Sequence, residues 1–339
     1  MFVDLKNKEY ITSYNFARIS DKVYAESLTS DQYELLKNEN TKIISKSENQ
    51  VLYINTKFKI NENDIIFCNS YMIDSLFNIL NNVKNLKNLK LITSQTDHLI
   101  NKNLFKTKPS CISQWYSTNV GYNDKNLIPI PLGLANDYST KNLKTTDFMN
   151  KNKEHEKKTN IYSNFQINTN YRHRKQVLKN LMKNNNVIFV EPNLEISEYF
   201  DNLNEYLFIV CPWGNGFDSH RIWETLYSDS IPIVFDHLTF STLDDLPKIK
   251  ISNLKQLNED NLFDNFKKEK FIYEKLNIAW WEALIKSKKV DNGNSFDFDN
   301  SRDYQIIRKN YKAKLKKEHN QKFFKTLFRK IDKRINQYV

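Results

Sequence analysis

The 339-residue sequence lacks features that mark several large classes of protein. Its three cysteines, Cys68, Cys111 and Cys211, form no Cys-x-x-Cys pair, and their odd number argues against a disulfide framework. No apolar run approaches the roughly 20 residues that cross a bilayer. The beginning of the sequence, MFVDLKNKEY, lacks the apolar segment of a signal peptide. We therefore expect buried thiols in a protein of the reducing cytoplasm.

Motifs for common cofactors are also missing. There is no Gly-x-x-x-x-Gly-Lys-[Ser/Thr] phosphate loop, and no cluster of His, Cys and Asp has the spacing of a zinc site. Internal repeats of roughly 20–50 residues are not visible either. We expect neither a cofactor nor a repeat architecture.

Positive charge is concentrated at the end of the sequence. Residues 304–339 contain twelve lysines and arginines but only two acids, so they carry +10 of the net charge of +11. The nearly neutral remainder argues against a basic nucleic-acid groove through the fold. Apolar residues fall on one helical face of this segment, and they are Phe323, Phe324, Leu327, Phe328, Ile331 and Ile335. The segment is predicted to be a cationic amphipathic helix that binds an anionic membrane surface, or alternatively packs back on the protein.

The most informative stretch of the sequence is residues 206–236. An apolar run at residues 207–211 has the length of a strand and is followed by a glycine-containing turn. Asp218 or Ser219 can then cap a helix, because a short oxygen-bearing side chain satisfies the first free amides. A second apolar run at residues 231–235 follows the helix. The stretch predicts a β-loop-α-β unit of a parallel sheet.

Three polar side chains of the predicted helix share one face. His220 and Glu224 are four residues apart, and Arg221 and Glu224 are three apart. A helix N-terminus suits a phosphate, and Arg221 adds a cationic fork for the same anion. Glu224 can accept hydrogen bonds from the two hydroxyls of a ribose. The spacing favours a nucleotide site, with an ordinary solvated Arg–Glu pair as the alternative.

Apolar periodicity elsewhere predicts more α/β structure. Residues 64–93 have the pattern of a βαβ unit, and residues 252–286 that of a helix. A charged, aperiodic segment between residues 137 and 159 indicates a linker. We predict two Rossmann-like domains with parallel sheets and a helical tail, at residues 1–150, 156–300 and 301–339 respectively.

Residues 211–234, CPWGNGFDSHRIWETLYSDSIPIV, resemble the donor-binding signature of the exostosin-like glycosyltransferases, family 47 and relatives that include ribitol xylosyltransferase-like enzymes. That pattern has a small-residue loop, then Asp-[Ser/Thr]-His-Arg-hydrophobic-Trp-Glu-[Ala/Thr]-Leu, then Ile-Pro-[Ile/Val]-Val. Residues 94–98, 129–136 and 161–174 are similar to shorter family segments. The resemblance implies a GT-B fold, with the acceptor domain first, the nucleotide-sugar donor domain second, and a cleft between them.

The resemblance also implies roles for the matching residues. The loop amides and Arg221 would hold the donor diphosphate, Glu224 the ribose, and Trp213 or Phe217 would flank the base or sugar. An arginine near Arg174 would reach the diphosphate. The implied donor-binding residues are Arg174, Trp213, Gly214, Asn215, Gly216, Asp218, Ser219, His220, Arg221 and Glu224.

An inverting sugar transfer needs a base that takes the proton of the acceptor hydroxyl. Asp97 and His98 are the candidates, because they follow a predicted strand, and Asp97 matches the family-like turn better. No metal is expected, since a helix N-terminus and Arg221 can neutralise the departing diphosphate. Asp297-Phe298-Asp299 resembles the metal motif of GT-A enzymes, but it lies in a polar run rather than after a buried strand.

These observations predict an inverting, metal-independent glycosyltransferase of surface polysaccharide synthesis. It would take a nucleotide-sugar, a UDP-sugar in the first place, and a saccharide or lipid-linked acceptor. It would be cytoplasmic, or peripheral on the inner face of the membrane, and would bind no nucleic acid. The alternatives are a nucleotide-sugar epimerase on the same fold and a nucleic-acid-binding protein that acts through its basic tail.

Overall fold

The computed structural model describes residues 5–149, 156–258, 271–286 and 293–335. The strands in chain order are β1 (Lys22–Leu28), β2 (Thr41–Lys46), β3 (Val51–Asn55), β4 (Lys57–Asn61), β5 (Ile65–Asn69), β6 (Leu89–Ser94), β7 (Ile112–Ser117), β8 (Leu127–Pro129), β9 (Lys158–Ser163), β10 (Val187–Phe189), β11 (Tyr206–Cys211), β12 (Ile231–Phe235), β13 (Ile249–Ile251) and β14 (Ser295–Asp299). The α-helices are α1 (Ser13–Arg18), α2 (Ser30–Leu36), α3 (Ile73–Leu80), α4 (Lys102–Phe105), α5 (Thr145–Met149), α6 (Tyr171–Leu181), α7 (Ile196–Glu205), α8 (His220–Tyr227), α9 (Ile278–Ile285) and α10 (Tyr304–Ile335).

The larger sheet has seven strands in the order β2-β3-β1-β5-β6-β7-β8. Strands β1 and β5 to β8 are parallel, whereas β3 and β2 continue the sheet antiparallel at one edge. All residues of β5 are buried, as expected of a parallel strand with both faces covered. Helix α3 lies between β5 and β6 in the chain and buries Ile73, Leu76 and Leu80. The βαβ unit predicted for residues 64–93 is confirmed.

The smaller sheet has five strands in the order β10-β9-β11-β12-β13, all parallel. Its centre contains the predicted β-loop-α-β unit, formed by β11, α8 and β12. Helix α8 buries Trp223, Leu226 and Tyr227. The protein is therefore a mixed α/β fold with a parallel five-stranded sheet and a mostly parallel seven-stranded sheet, in agreement with the predicted α/β class.

The prediction of a helix over residues 252–286 is only partly right. The described residues contain short 3-10 turns at Leu254–Asn258 and Tyr273–Leu276, and the regular helix α9 begins at Ile278; residues 259–270 lie outside the described part. Side-chain oxygens explain the interruptions. Asn253 Oδ1 accepts a hydrogen bond from Lys255 N, and Asn277 Oδ1 accepts one from Ala279 N. Such local bonds compete with a continuous helix.

After the smaller sheet the chain returns to its first part, where it forms a separate two-stranded sheet. Strand β14 pairs antiparallel with β4, and its central Phe298 is buried and stacks on Phe58 with ring centroids 4.6 Å apart. Asp297 and Asp299, on either side, are exposed. The predicted domain boundaries stay a prediction, but β14 lies against the first part of the chain.

Helix α10 begins as part of this packing. Tyr304 Oη donates to Ile43 O at 2.6 Å, and Ile307 is buried. Further along, Glu318 accepts a hydrogen bond of 2.7 Å from Tyr71 Oη. The early turns of the predicted tail therefore pack on the protein. No helix in the described ranges is long and apolar enough to cross a membrane.

One cluster of buried side chains joins the two sheets. It includes Phe16 and Tyr116 on the side of the larger sheet, and Tyr162 and Trp223 on that of the smaller. Trp281 of α9 belongs to it and meets Phe16 edge-on at 6.5 Å. The two sheets therefore share a core, which holds their carboxyl-terminal edges beside one another.

Candidate functional site

A cavity of about 820 Å³ lies where loops from the two sheets meet. Its walls are built by the segments that follow β6, β8, β9, β10 and β11, together with the start of α8. Ligands of α/β sheets bind at this carboxyl edge, and the volume is within the roughly 300–1,000 Å³ of small-molecule sites. The cavity is therefore the candidate functional site.

Most of the residues singled out from the sequence line this cavity. They are Asp97, Arg174, Gly214, Asn215, Gly216, Asp218, Ser219, His220, Arg221 and Glu224. His98 and Trp213 are not among its lining residues. The structure thus brings together residues separated by more than a hundred positions in the sequence, although their proposed roles stay predictions.

The start of α8 lies in the cavity wall without a side-chain cap. Ser219 occupies the N-cap position with extended backbone, but its side chain makes no capping bond and its buried Oγ has no hydrogen-bond partner. Asp218 does not cap the helix either, because its carboxylate accepts from Leu132 N and Trp223 Nε1. The predicted helix start is right, whereas the predicted side-chain cap is wrong. The positive end of the helix dipole is left to a ligand.

Arg221, Tyr199 and Glu224 form a cluster in the cavity wall. Tyr199 Oη donates to Glu224 Oε2 at 2.7 Å, and the Arg221 guanidinium lies over the Tyr199 ring at 5.0 Å. Glu224 is only 2% exposed. Arg221 Nη1 and Glu224 Oε1 are nevertheless buried with no hydrogen-bond partner. Because unpaired buried polar atoms are costly, this cluster is shaped to accept further polar groups.

The charges in the cluster follow from the same contacts. Burial alone would lower the pKa of the Arg221 guanidinium, but Tyr199 and Glu224 offset it and leave that pKa above its usual value. Burial raises the pKa of the Tyr199 hydroxyl, so it stays a hydrogen-bond donor. Arg221 therefore presents a permanent positive charge to the cavity.

Arg174 borders the cavity and also makes three hydrogen bonds within the protein. Its guanidinium donates to the carbonyl oxygens of Gln166 at 2.8 Å, Pro212 at 3.2 Å and Trp213 at 2.8 Å. Burial, reinforced by the charge of Arg221, lowers its pKa to about 10. Although Arg174 borders the cavity, these bonds assign it to holding the loop after β11. Contact with a diphosphate stays a prediction.

Trp213 and Phe217 are held in an aromatic cluster. The Trp213 ring stacks on His173 at 4.4 Å, and Phe217 stacks on His237 at 3.5 Å. Burial lowers the pKa of His173 to about 4, so this imidazole is neutral. Since neither Trp213 nor Phe217 is among the cavity-lining residues, their predicted contact with a base or sugar has no support from this geometry.

The two base candidates lie in different places. Asp97 is exposed and borders the cavity. The chain reaches it through Gln95, whose φ of 71° turns the backbone and whose side chain bonds Ser27 N and O. The His98 ring packs against Tyr71 at 6.3 Å, and burial lowers its pKa. Of the two, only Asp97 is at the cavity.

Three hydrogen bonds join the loops of the two sheets at the cavity. Phe217 N donates to Asn119 Oδ1 at 3.0 Å, Leu132 N donates to Asp218 Oδ2 at 2.8 Å, and His220 Nδ1 lies 2.8 Å from Gly133 O. A carbonyl oxygen only accepts, so Nδ1 of His220 carries its proton and Nε2 is the nitrogen left for a ligand. Burial raises the pKa of Asp218 to about 7.

Gly133 is required by this junction. Its φ is +74°, and a Cβ at this position would lie 2.0 Å from Ile11 O. Only glycine fits such a backbone.

Sequence reasoning missed two residues of the site, Tyr199 and Asn119. Neither belongs to a motif, and each meets its partner only in the folded protein.

No protein-family model matches the sequence, and no curated protein matches it. The likeness of residues 211–234 to the exostosin-like signature therefore stays a prediction. Among the described residues, no group of three or more His, Cys, Asp and Glu side chains is placed to hold a metal ion.

Proposed function

We propose that the protein is a GT-B-type glycosyltransferase that moves a sugar from a nucleotide-diphosphate donor, a UDP-sugar in the first place, to a saccharide or lipid-linked acceptor. The observation that carries the proposal is the Arg221–Tyr199–Glu224 cluster, with its two unpartnered buried atoms beside a helix N-terminus. A nucleotide-sugar satisfies both atoms, because its diphosphate accepts from Arg221 and its ribose donates to Glu224.

The donor would lie along the start of α8. Its diphosphate faces the positive end of the helix dipole and the unpaired Ser219 Oγ. His220 Nε2 lies in the same wall. Tyr199 holds Glu224 Oε2, so that Oε1 is left to receive the ribose hydroxyls. The helix N-terminus and Arg221 neutralise the leaving diphosphate, so the proposed reaction needs no metal.

The acceptor would approach from the side of the larger sheet. Asp97 takes the proton of the acceptor hydroxyl while the oxygen attacks the anomeric carbon, and the bond to the diphosphate breaks on the opposite face. The exposure of Asp97 at the same cavity as the start of α8 supports this role. The proposed transfer inverts the configuration of the sugar.

Helix α10 supports a place of action at an anionic membrane. Beyond its packed early turns the sequence continues with Lys322, Lys325, Arg329, Lys330 and Lys333, and a cationic helix of this kind binds anionic headgroups. Docking would bring the cavity to lipid-linked acceptors at the inner face of the membrane.

A donor screen tests the proposal. Full-length protein is melted with UDP-, GDP-, CMP- and dTDP-sugars, in parallel with Glu224→Gln, which keeps the size of the side chain. A donor at a hundredfold excess over its dissociation constant should stabilise the parent by about 2.7 kcal/mol, and Glu224→Gln should lose most of that effect. If no nucleotide stabilises the parent, the proposal is wrong.

Product analysis separates transfer from epimerisation on the same site. With a bound donor, transfer releases the nucleoside diphosphate in proportion to acceptor, whereas an epimerase returns an altered nucleotide-sugar without any acceptor. A nucleic-acid-binding protein would instead show steeply salt-dependent affinity for nucleic acid and no response to nucleotide-sugars.

A further inference from the structure

A second cavity, of about 470 Å³, lies beside the first and shares a wall with it. Asn136 borders both cavities. On one side of this wall Ser13 faces the first cavity and Tyr14 the second, and on the other side Tyr138 faces the first and Asp137 the second. The two cavities are therefore adjacent, with Asn136 at their boundary.

The shared wall is held by hydrogen bonds of Asn136. Its Oδ1 accepts from Tyr14 N at 3.1 Å, and its Nδ2 donates to Ser13 Oγ at 2.5 Å and Tyr138 Oη at 2.8 Å. Both hydrogen-bonding atoms of the amide are thus engaged within the protein. The wall is a fixed feature that separates two compartments, each with its own lining.

The lining of the second cavity has the chemistry of a carbohydrate site. It consists mainly of side-chain amides and hydroxyls, from Asn7, Thr12, Tyr14, Asn15, Gln32, Asn136 and Thr145. Amides and hydroxyls both donate and accept hydrogen bonds, as sugar hydroxyls do, and an aromatic ring offers an apolar face to a sugar ring. Asp137, the only carboxylate of this lining, already accepts from Gln32 Nε2 at 2.8 Å. Lys6 and Lys8 are exposed.

We propose that the second cavity binds the neutral saccharide units of the acceptor that adjoin the reacting unit. The inference rests on the proposed function, which places the reacting hydroxyl near Asp97 in the first cavity. A single sugar would occupy the first cavity alone, whereas an oligosaccharide would fill both. The protein therefore extends an existing chain in preference to glycosylating a free monosaccharide.

Binding of short neutral oligosaccharides tests this inference. Mono- to tetrasaccharides of glucose, mannose and xylose are titrated against full-length protein with UDP present. The variants are Asn7→Trp and Lys8→Trp, which introduce a large ring from exposed lining positions, and Lys125→Trp, at an exposed position outside both linings, is the matched control. Tri- or tetrasaccharides of at least one series should bind the parent about tenfold more tightly than the monosaccharide, or about 1.4 kcal/mol. Asn7→Trp and Lys8→Trp should lose this gain, and Lys125→Trp should keep it.

The outcomes separate this inference from the proposed function. Melting temperatures and UDP affinity are measured for every variant. If either Asn7→Trp or Lys8→Trp fails to fold, the conclusion rests on the other. The second-cavity assignment is overturned if longer oligosaccharides bind no more tightly than the monosaccharide, or if their tighter binding persists in folded Asn7→Trp and Lys8→Trp. Neither result affects the conclusion about UDP binding. The parent could instead show the gain, lose it in Asn7→Trp and Lys8→Trp, and yet bind no nucleotide. That result would support the saccharide site and overturn the proposed transfer. Affinity that instead depends on acidic sugars and is lost in Lys6→Ala overturns the neutral-saccharide assignment.

Discussion

The guanidinium of Arg221 keeps its charge inside the protein because its neighbours are an aromatic ring and a carboxylate. The ring of Tyr199 lies beneath it at 5.0 Å, and Glu224 is the acidic member of the same cluster. A planar, delocalised cation suits both contacts and leaves Nη1 for a ligand. This residue is therefore the most sensitive point at which to test nucleotide binding.

Arg221→Lys should weaken nucleotide-sugar binding at least tenfold, since a hydrogen bond to a charged group is worth about 1.5–3 kcal/mol and an ammonium cannot reproduce the fork. Calorimetric titration with the best donor of the screen measures the effect. Arg172→Lys is the matched control, because Arg172 is exposed and lies outside the cavity lining. Equal affinities in the two folded variants would contradict the proposed donor site.

Asp97→Asn should bind the donor normally but lose roughly 10²–10⁴ in turnover, because it removes the proposed base. Steady-state rates with the acceptor, together with donor titration, measure the two effects separately. His98→Gln is the comparison, since His98 lies outside the cavity lining, and its turnover should stay near that of the parent. Normal turnover of Asp97→Asn would place the base elsewhere.

Glu26 makes the stability of the protein depend on pH. It is fully buried on β1, where Arg18 donates to its Oε2 and its Oε1 has no partner. Burial, opposed by Arg18, raises its pKa to about 7. The folded protein thus holds this proton more tightly than the unfolded chain. The stabilisation is complete below the ordinary carboxyl pKa of about 4.3 and is lost as the pH rises through 7.

Urea midpoints between mildly acidic and mildly alkaline pH should therefore fall as the pH rises, and Glu26→Gln should show a smaller fall. Asp218, whose pKa burial also raises to about 7, should account for a remaining slope. Parallel pH curves for the parent and Glu26→Gln would show that this carboxyl is not the cause.

At the scale of elements, α8 shows what a sequence can and cannot predict. Its position, its buried Trp223 and its polar face follow from helical spacing and from the strands around it. The hydrogen-bond partner of Asp218 cannot be predicted in this way, because Leu132 N is 86 residues away and its approach depends on how the two sheets pack. Tyr199 belongs to α7 and gives no local signal of its contact with Glu224. Such contacts depend on tertiary packing, which periodicity does not encode.

Helix α10 separates into a packed beginning and a continuation whose sequence contains the apolar residues of the predicted amphipathic face. Ending the chain after Asp303 would remove Tyr304 and the buried Ile307, so we expect a lower melting temperature or aggregation. Ending it after Asn320 keeps these contacts and Glu318, and should leave the fold intact. The early turns are thus a part of the fold, and the proposed membrane-binding role would belong to the later ones.

Co-sedimentation with phosphatidylglycerol-containing vesicles tests that role. The full chain should bind them at low salt and release in high salt, whereas the chain that ends after Asn320 should remain in solution. Each basic residue near an anionic surface adds on the order of 1 kcal/mol. Equal binding by the two chains would assign any membrane contact to another surface.

At the scale of the whole molecule, the shared core makes the two sheets one cooperative unit. Tyr227 shows how closely they are joined, because its Oη accepts from Ile11 N at 3.0 Å and donates to Leu276 O at 2.7 Å. These partners lie at distant positions of the chain and meet at one buried hydroxyl. We therefore expect a single unfolding transition.

Tyr227→Phe should destabilise the whole protein by about 1–3 kcal/mol, since it leaves buried polar groups unpaired. Urea unfolding followed by tryptophan fluorescence and by circular dichroism measures the shift, and both signals should move together. Tyr122→Phe, at a half-buried hydroxyl outside this junction, is the control. Two separated transitions, only one of them shifted, would contradict the shared core.

The pairing of β14 with β4 bears on the order in which the protein can be completed during synthesis. Phe298 and Ile307 belong to the same buried cluster as Tyr24 and Ile60, yet they leave the ribosome long after them. Translation proceeds at roughly 5–20 residues per second, so part of the apolar surface of the early strands stays exposed until β14 and the first turns of α10 have been synthesised. A nascent chain that stops before β14 should therefore engage chaperones, and release from them should coincide with the arrival of the last strand and the first turns of the last helix.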